Sequence, residues 1–246
     1  MRRRGTRVEL VWMRPHDHIG WVFSNPDKFV EVAEPFLKEG LERGERLVFV
    51  AANPAENAYA RLAGSFAPAD LQVASIAEVY GASGIVDAAA QHAIFAAALR
   101  QALADGYTGI RVAADNTTLV QSAEQLTAWM HWELVADRFM SQNRVIGLCG
   151  FDRTAVNVDT LRHLVTLHPI SSAADPVPQF RLFVDTDGLC LEGDVDDFAI
   201  GHLQRALDVL PPGTPAVVDL TRARPRDGAV KTELTQLAYA GVLITY

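Results

Sequence analysis

Only two cysteines, Cys149 and Cys190, occur among 246 residues. That scarcity excludes a disulfide-stapled scaffold and fits a reducing compartment, so a cytoplasmic location is expected. Long hydrophobic runs are missing as well: nothing approaches the roughly 18 apolar residues of a membrane helix. The short run at 8–13, VELVWM, is broken by Glu9, so an export signal is not expected. Positive charge is in deficit, and a net charge of −8 excludes nucleic-acid binding by general basicity. The one basic cluster, Arg2, Arg3, Arg4 and Arg7, reads as a solvated, frayed terminus. A phosphate loop is also absent. Residues 15–28, PHDHIGWVFSNPDK, hold one glycine and no Gly-Lys-Ser/Thr. They lack the backbone cradle, the lysine and the Mg²⁺-binding hydroxyl that nucleotide hydrolysis requires.

What is present is core. Apolar residues make up 49% of the chain, and strand-like runs alternate with helical patterns. RVELVWM (7–13), RLVFVA (46–51), LQVASI (71–76), GIRVAAD (109–115) and VIGLCGFD (145–152) read as strands. Between them the spacing predicts helices over 27–44, 55–66, 84–105, 122–142 and 157–168. Pro35 is expected to kink the first, and Ser122 with Gln125 caps the fourth. Such alternation predicts an α/β fold with a mostly parallel sheet flanked by helices over 1–170. Small residues and two prolines at 171–178 read as a linker. Residues 179–246 read β-β-α-β-α-β, with a hairpin turn at Asp187-Gly188. The acidic cluster Asp185, Asp187, Glu192, Asp194, Asp196 and Asp197 lacks calcium-loop spacing and reads as solvated.

In this second unit, Gly193, Asp194 and Val195-Asp196 run into a helix, and Val217-Val218-Asp219-Leu220 lies one short loop before the next. These features resemble a STAS domain, the fold of anti-sigma-factor antagonists. The resemblance implies a phosphorylated serine or threonine after the aspartate that starts the second helix. Here Asp227 is followed by Gly228 and Ala229, so the usual phosphoacceptor is missing. The helix that usually follows the last strand is not expected either.

The segments HDHIGWVFSNPDKFVEVAEPFLKEGLERGERLVFVA, GIRVAAD, GLCGFDR and LVTLHP, in that order within about 10–170, resemble the MEDS domain. This is a sensory domain associated with small hydrocarbon-like ligands. Phe36-Leu37, Gly40-Leu41, Gly44-Glu45 and the strand at 47–50 also resemble RecA/KaiC-type ATPases, which implies a RecA-like sheet here without its phosphate loop.

Ligands in open α/β sheets bind at the carboxyl ends of strands. His16, His18 and Trp21, in what reads as a loop, suit an aromatic, partly polar pocket. Asp115, Cys149 and Asp152 fall at strand ends, Trp129 and Glu133 share a helix, and His168 ends the last one. These nine residues are the candidate ligand contacts. Each has a plainer reading: a hydrated loop for His16 and His18, core packing for Trp129 and Cys149, surface pairing for Glu133, a turn for Asp152. His16, His18, Cys149 and His168 are zinc-ligand types without firm ligand spacing, so no metal or cofactor is expected.

The combined reading is a non-enzymatic signalling and transcription regulator. It senses a small, largely apolar ligand and contacts a regulatory protein, such as an anti-sigma factor or another STAS protein. A homodimer is an open alternative. Two rival readings are a metal-dependent hydrolase using His16, His18 and His168, with Asp17 or Asp115 as base, and a nucleotide binder that has lost hydrolysis.

Overall fold

The computed structural model describes residues 2–174, 176–185, 188–208, 216–239 and 242–245. The elements are β1 (Gly5–Arg7), β2 (His18–Phe23), α1 (Pro26–Glu42), β3 (Arg46–Ala51), α2 (Asn57–Gly64), β4 (Leu71–Ser75), α3 (Ile76–Tyr80), α4 (Ala88–Ala104) and β5 (Ile110–Asp115). A short 3₁₀ turn (Thr117–Leu119) leads to α5 (Ala123–Gln142), β6 (Val145–Asp152), α6 (Val158–Thr166) and β7 (Ile170–Ser172). Then come β8 (Phe180–Asp185), β9 (Gly188–Val195), α7 (Asp197–Asp208), β10 (Val217–Pro225), α8 (Gly228–Tyr239) and β11 (Leu243–Thr245).

The expected α/β class is observed. Seven parallel strands form one sheet in the order β1-β7-β2-β6-β5-β3-β4. A smaller mixed sheet, β11-β10-β9-β8, is antiparallel only between β8 and β9. Its β-β-α-β-α-β order is the one expected. The turn residue Asp187 lies outside the described residues.

Side-chain alternation along each strand divides the core in two. Ile19, Trp21 and Phe23 of β2, with Leu47 and Phe49 of β3, pack with Phe29, Phe36 and Leu37 of α1 and Tyr59 of α2. The opposite face carries Val22, Val112 and Phe151 with Trp129 and Trp132 of α5 and Leu161 and Leu164 of α6. Asn25 caps α1 through the Lys28 amide and Pro26 occupies its first turn, a strong start signal. The helix then runs uninterrupted through Pro35.

Three expectations change. Residues 8–12 form bends with Val8, Val11 and Trp12 exposed, and the first strand of the core is HIGWVF. A central strand tolerates this polar start because Asp17 and His18, both buried, have partners. Ser171 and Ser172, assigned to the linker by composition, belong to β7. The arginine run is also not frayed. Arg2 binds Asp137, Arg3 binds Asp17, and Arg4 lies 3.2 Å from Glu192 in the small sheet. Each of these three guanidinium groups has a carboxylate partner, which composition alone cannot show.

The two sheets share a core. Met130 and Leu134 of α5 and Leu167 join Leu182, Leu191 and Leu203 in one apolar cluster.

Candidate functional site

The site begins with strand register. His18 of β2 sits opposite Gly147 of β6, and Gly20 opposite Cys149. Alternation puts His18, Gly20, Gly147 and Cys149 on the face covered by α5 and α6. Both glycines leave room that the site uses. A Cβ at Gly20 would lie 2.7 Å from His168 Nδ1, and one at Gly147 would lie 3.0 Å from the Met140 thioether. His168, just past α6, therefore lies over the bare backbone of β2, its ring centroid 4.3 Å from that of His18. Helix α5 adds Glu133 and, one turn on, Asp137.

The polar atoms converge. Glu133 Oε2 lies 3.1 Å from His18 Nε2 and 3.4 Å from His168 Nε2, and Cys149 Sγ is 3.5 Å from His18 Nε2. One ligand atom from each of these four residues lies within 4.8 Å of every other. The outer ring nitrogens are already committed. His168 Nδ1 is 2.8 Å from the Leu164 carbonyl, an acceptor, so Nδ1 carries the hydrogen. His18 Nδ1 is 3.0 Å from Asp137 Oδ1. The inner side is unsatisfied: neither Glu133 oxygen nor His168 Nε2 makes a hydrogen bond of good geometry.

Burial and charge set the protonation states. Burial works against the His18 imidazolium, yet the neighbouring Cys149, Asp137 and Glu133 raise its pKa well above the ordinary value. Burial, with the nearby Glu133 carboxylate, pushes the Cys149 thiol up to about 11. Burial lowers His168 to about 4, so its ring is neutral near pH 7. Beside these groups lies a void of about 20 Å³, room for roughly one water. Its walls include His18, Glu133, Cys149, Tyr80, Phe95 and Trp132.

Of the nine sequence candidates, the structure brings together His18, Glu133, Cys149 and His168. His16 holds the Met140 carbonyl through Nδ1, at 2.9 Å. Trp21 points to the opposite face, among the residues under α1. Trp129 packs edge-on against Tyr80, which lines the void, and against Phe151. Asp115 accepts from Tyr59 and Thr117, and Asp152 from Thr154, so both are held in local turns at the carboxyl edge. The cluster lies under α5 and α6 rather than at that edge. Only Ser24 and Asn25 separate β2 from α1, leaving no loop to wrap a phosphate. Sequence reading missed Tyr80 and, most of all, Asp137. The four-residue spacing from Glu133 to Asp137 is the signal that marks both carboxylates on one helix face.

Asp137 is fully buried and four-fold bonded. Besides His18 it accepts from Arg2 Nη1 and Nη2, at 2.9 and 2.7 Å, and from the Val184 amide of β8 at 2.6 Å. Burial alone would raise its pKa, but Arg2 and His18 hold it well below the usual carboxylate range.

Among the described residues no helix is long and apolar enough to cross a membrane. A family model described as MEDS, the methanogen/methylotroph, DcmR sensory domain, matches residues 17–169. No curated protein matches the chain.

Proposed function

This chain belongs to the MEDS family of sensory domains, and from that premise we propose a non-enzymatic cytoplasmic regulator whose large sheet senses a small, largely apolar ligand and whose small sheet passes the signal to a protein. The observation that carries the reading is Asp137. It ties the candidate site, through His18, to the first strand of the C-terminal sheet, through the Val184 amide. The aromatic and aliphatic walls of the void suit an uncharged guest, while its size admits little more than a water. A larger guest therefore enters by displacing α5, and α5 carries Asp137. The guest shifts the output only if it binds one placement of α5 better than the other.

The output reading is a STAS-like contact with a regulatory protein of the anti-sigma type or with another STAS protein. Its support is the element order and the Asp227 cap of α8, which accepts from the Ala229 and Val230 amides at 2.9 and 3.1 Å. Gly228 replaces the hydroxyl residue, so control falls to the sensor rather than to phosphorylation.

Thermal denaturation of the full chain against short alkanes, alcohols and ketones tests the sensory part. At least one is expected to raise Tm and slow hydrogen exchange at Val184. Asp137→Asn should keep part of the Tm rise and lose the Val184 response. No stabilisation by any of these probes would remove the apolar-guest reading.

A further inference from the structure

We propose that His18, Glu133, Cys149 and His168 form a binding site for one divalent transition-metal ion, with zinc the best match to the ligand set. The inference shares its location with the sensory reading but rests on different observations, the spacing and valence of four side chains.

Spacing comes first. Zinc binds nitrogen at about 2.0–2.1 Å and thiolate at about 2.3 Å in tetrahedral sites, which sets neighbouring ligand atoms about 3.3–3.8 Å apart. The recorded separations are 3.1, 3.4 and 3.5 Å. The whole set of four lies within 4.8 Å, so closing on an ion needs shifts of about 1 Å at most.

Valence comes second. The Leu164 carbonyl fixes the proton of His168 on Nδ1, and Asp137 fixes that of His18 on Nδ1. With both rings neutral, as a metal ligand requires, both Nε2 lone pairs aim at the Glu133 carboxylate, which is itself only an acceptor. A proton on His18 Nε2 answers one contact. It leaves His168 Nε2 and the second Glu133 oxygen buried without a partner. A cation at the centre answers all of them at once.

Construction comes third. A histidine ligand whose other nitrogen donates to a carboxylate or carbonyl is the usual outer support of a zinc site. Both histidines have it here. One thiol, two imidazoles and one carboxylate select zinc or cobalt over calcium or magnesium, which need oxygen-rich shells. The adjoining void leaves room for one exogenous water-sized ligand beside the ion.

Cobalt(II) is the probe. Tag-free full-length protein, stripped with chelator, is titrated with Co(II) and followed by absorption, and zinc is then used to displace it. The expected result is one equivalent bound, with a thiolate-to-cobalt charge-transfer band and intense four-coordinate d–d bands. Cys149→Ser should abolish the charge-transfer band, and His168→Gln should weaken binding at least about 10-fold. Asp137→Asn, which weakens the outer support of His18 together with the Arg2 ion pair, should weaken it about 10–100-fold. Near-UV circular dichroism confirms that each variant is folded. No saturable spectrum from folded wild-type protein overturns the assignment, as does a cobalt spectrum unchanged in both Cys149→Ser and His168→Gln. Stabilisation by a short alcohol without metal binding would overturn it while leaving the sensory reading intact. Metal binding without any apolar ligand would support it and remove the guest.

Discussion

Arg111 and His18 both project from the large sheet, in opposite directions, into surroundings almost without water. Arg111 on β5 points under α1 and is fully buried. Its Nε lies 2.6 Å from Glu45, Nη1 2.9 Å from the Phe36 carbonyl and Nη2 3.3 Å from that of Met13. The guanidinium also stacks on Phe36, 4.7 Å from the ring centroid. Every nitrogen has an acceptor, and Gly40 keeps the space clear, since a Cβ there would sit 2.6 Å from Arg111 Cδ. On the other face, His18 and His168 are supported from outside and face an unanswered carboxylate inside. Both faces hold buried charge, but only the second leaves valence open. Closed polar networks hold a fold together, whereas an open one of the same depth is poised for a ligand.

The largest expected effect tests the closed side. Arg111→Met leaves Glu45 buried without its cation, which should cost about 3–5 kcal/mol in urea unfolding. Adding Glu45→Leu should recover much of that loss. A single-variant cost below about 1 kcal/mol would mean that the α1 face is no more committed than the other.

Space can be probed like valence. Gly20→Ala drives a methyl to within 2.8 Å of the His168 ring at Nδ1 and Cγ. The ring is fully buried and held by Leu164, so it has no free direction. Overpacking of this kind costs about 1–3 kcal/mol. It should also move His168 and the Phe151 ring beside it, which packs on Trp129, visible as an altered near-UV dichroism spectrum. An unchanged Tm and spectrum would show that the ring is loosely held.

The βα rhythm, both sheets and three of the four cluster residues as helix or strand-end candidates were legible from periodicity and spacing. The strand HIGWVF was not, because two histidines, an aspartate and a glycine look like a loop. What makes them a strand is tertiary: Asp17 meets Arg3, His18 meets Asp137, and Gly20 and Gly147 yield to His168 and Met140. Misreading that strand placed the pocket at the carboxyl edge and put Trp21 in it. The arginine run failed for a similar reason. Charge repeats look solvated in one dimension, and their partners lie over 130 residues away for Arg2 and Arg4.

The joint between the two sheets contains its own contrast. On one side Asp137 keeps its charge to unusually low pH. On the other, His163 of α6 lies 2.5 Å from His202 of α7, and burial, then His163 and Arg205, lowers His202 to about 3. The unfolded histidine titrates near 6.5, so between about pH 6.5 and 3 the unfolded chain binds more protons. Stability from this group is full above 6.5 and is lost as pH falls. Going from pH 7 to 5 should cost about 1–2 kcal/mol through His202. The Asp137 contribution should persist over the same range, because its folded pKa lies lower still. Urea unfolding at the two pH values checks this, and His202→Phe should remove the His202 share of the difference while the share of His168, lowered to about 4, remains. A difference left unchanged by the substitution would place the acid sensitivity elsewhere.

The smallest expected effect is also the sharpest test of the open side. Glu133→Gln removes a buried carboxylate whose oxygens make no good hydrogen bond. The amide can donate to the lone pair of His168 Nε2, 3.4 Å from the present oxygen, so one unmet acceptor gains a partner. Against that stands the lost attraction to a protonated His18, 3.1 Å away. These terms oppose each other, and metal-free stability at pH 7 should stay within about 1 kcal/mol of wild type. Breaking a closed network should cost several times more, which is what Arg111→Met tests. If Glu133→Gln proved as damaging as Arg111→Met, the carboxylate would be a structural member of its face. The distinction between a finished network and a waiting one would then fail at the residue on which it depends most.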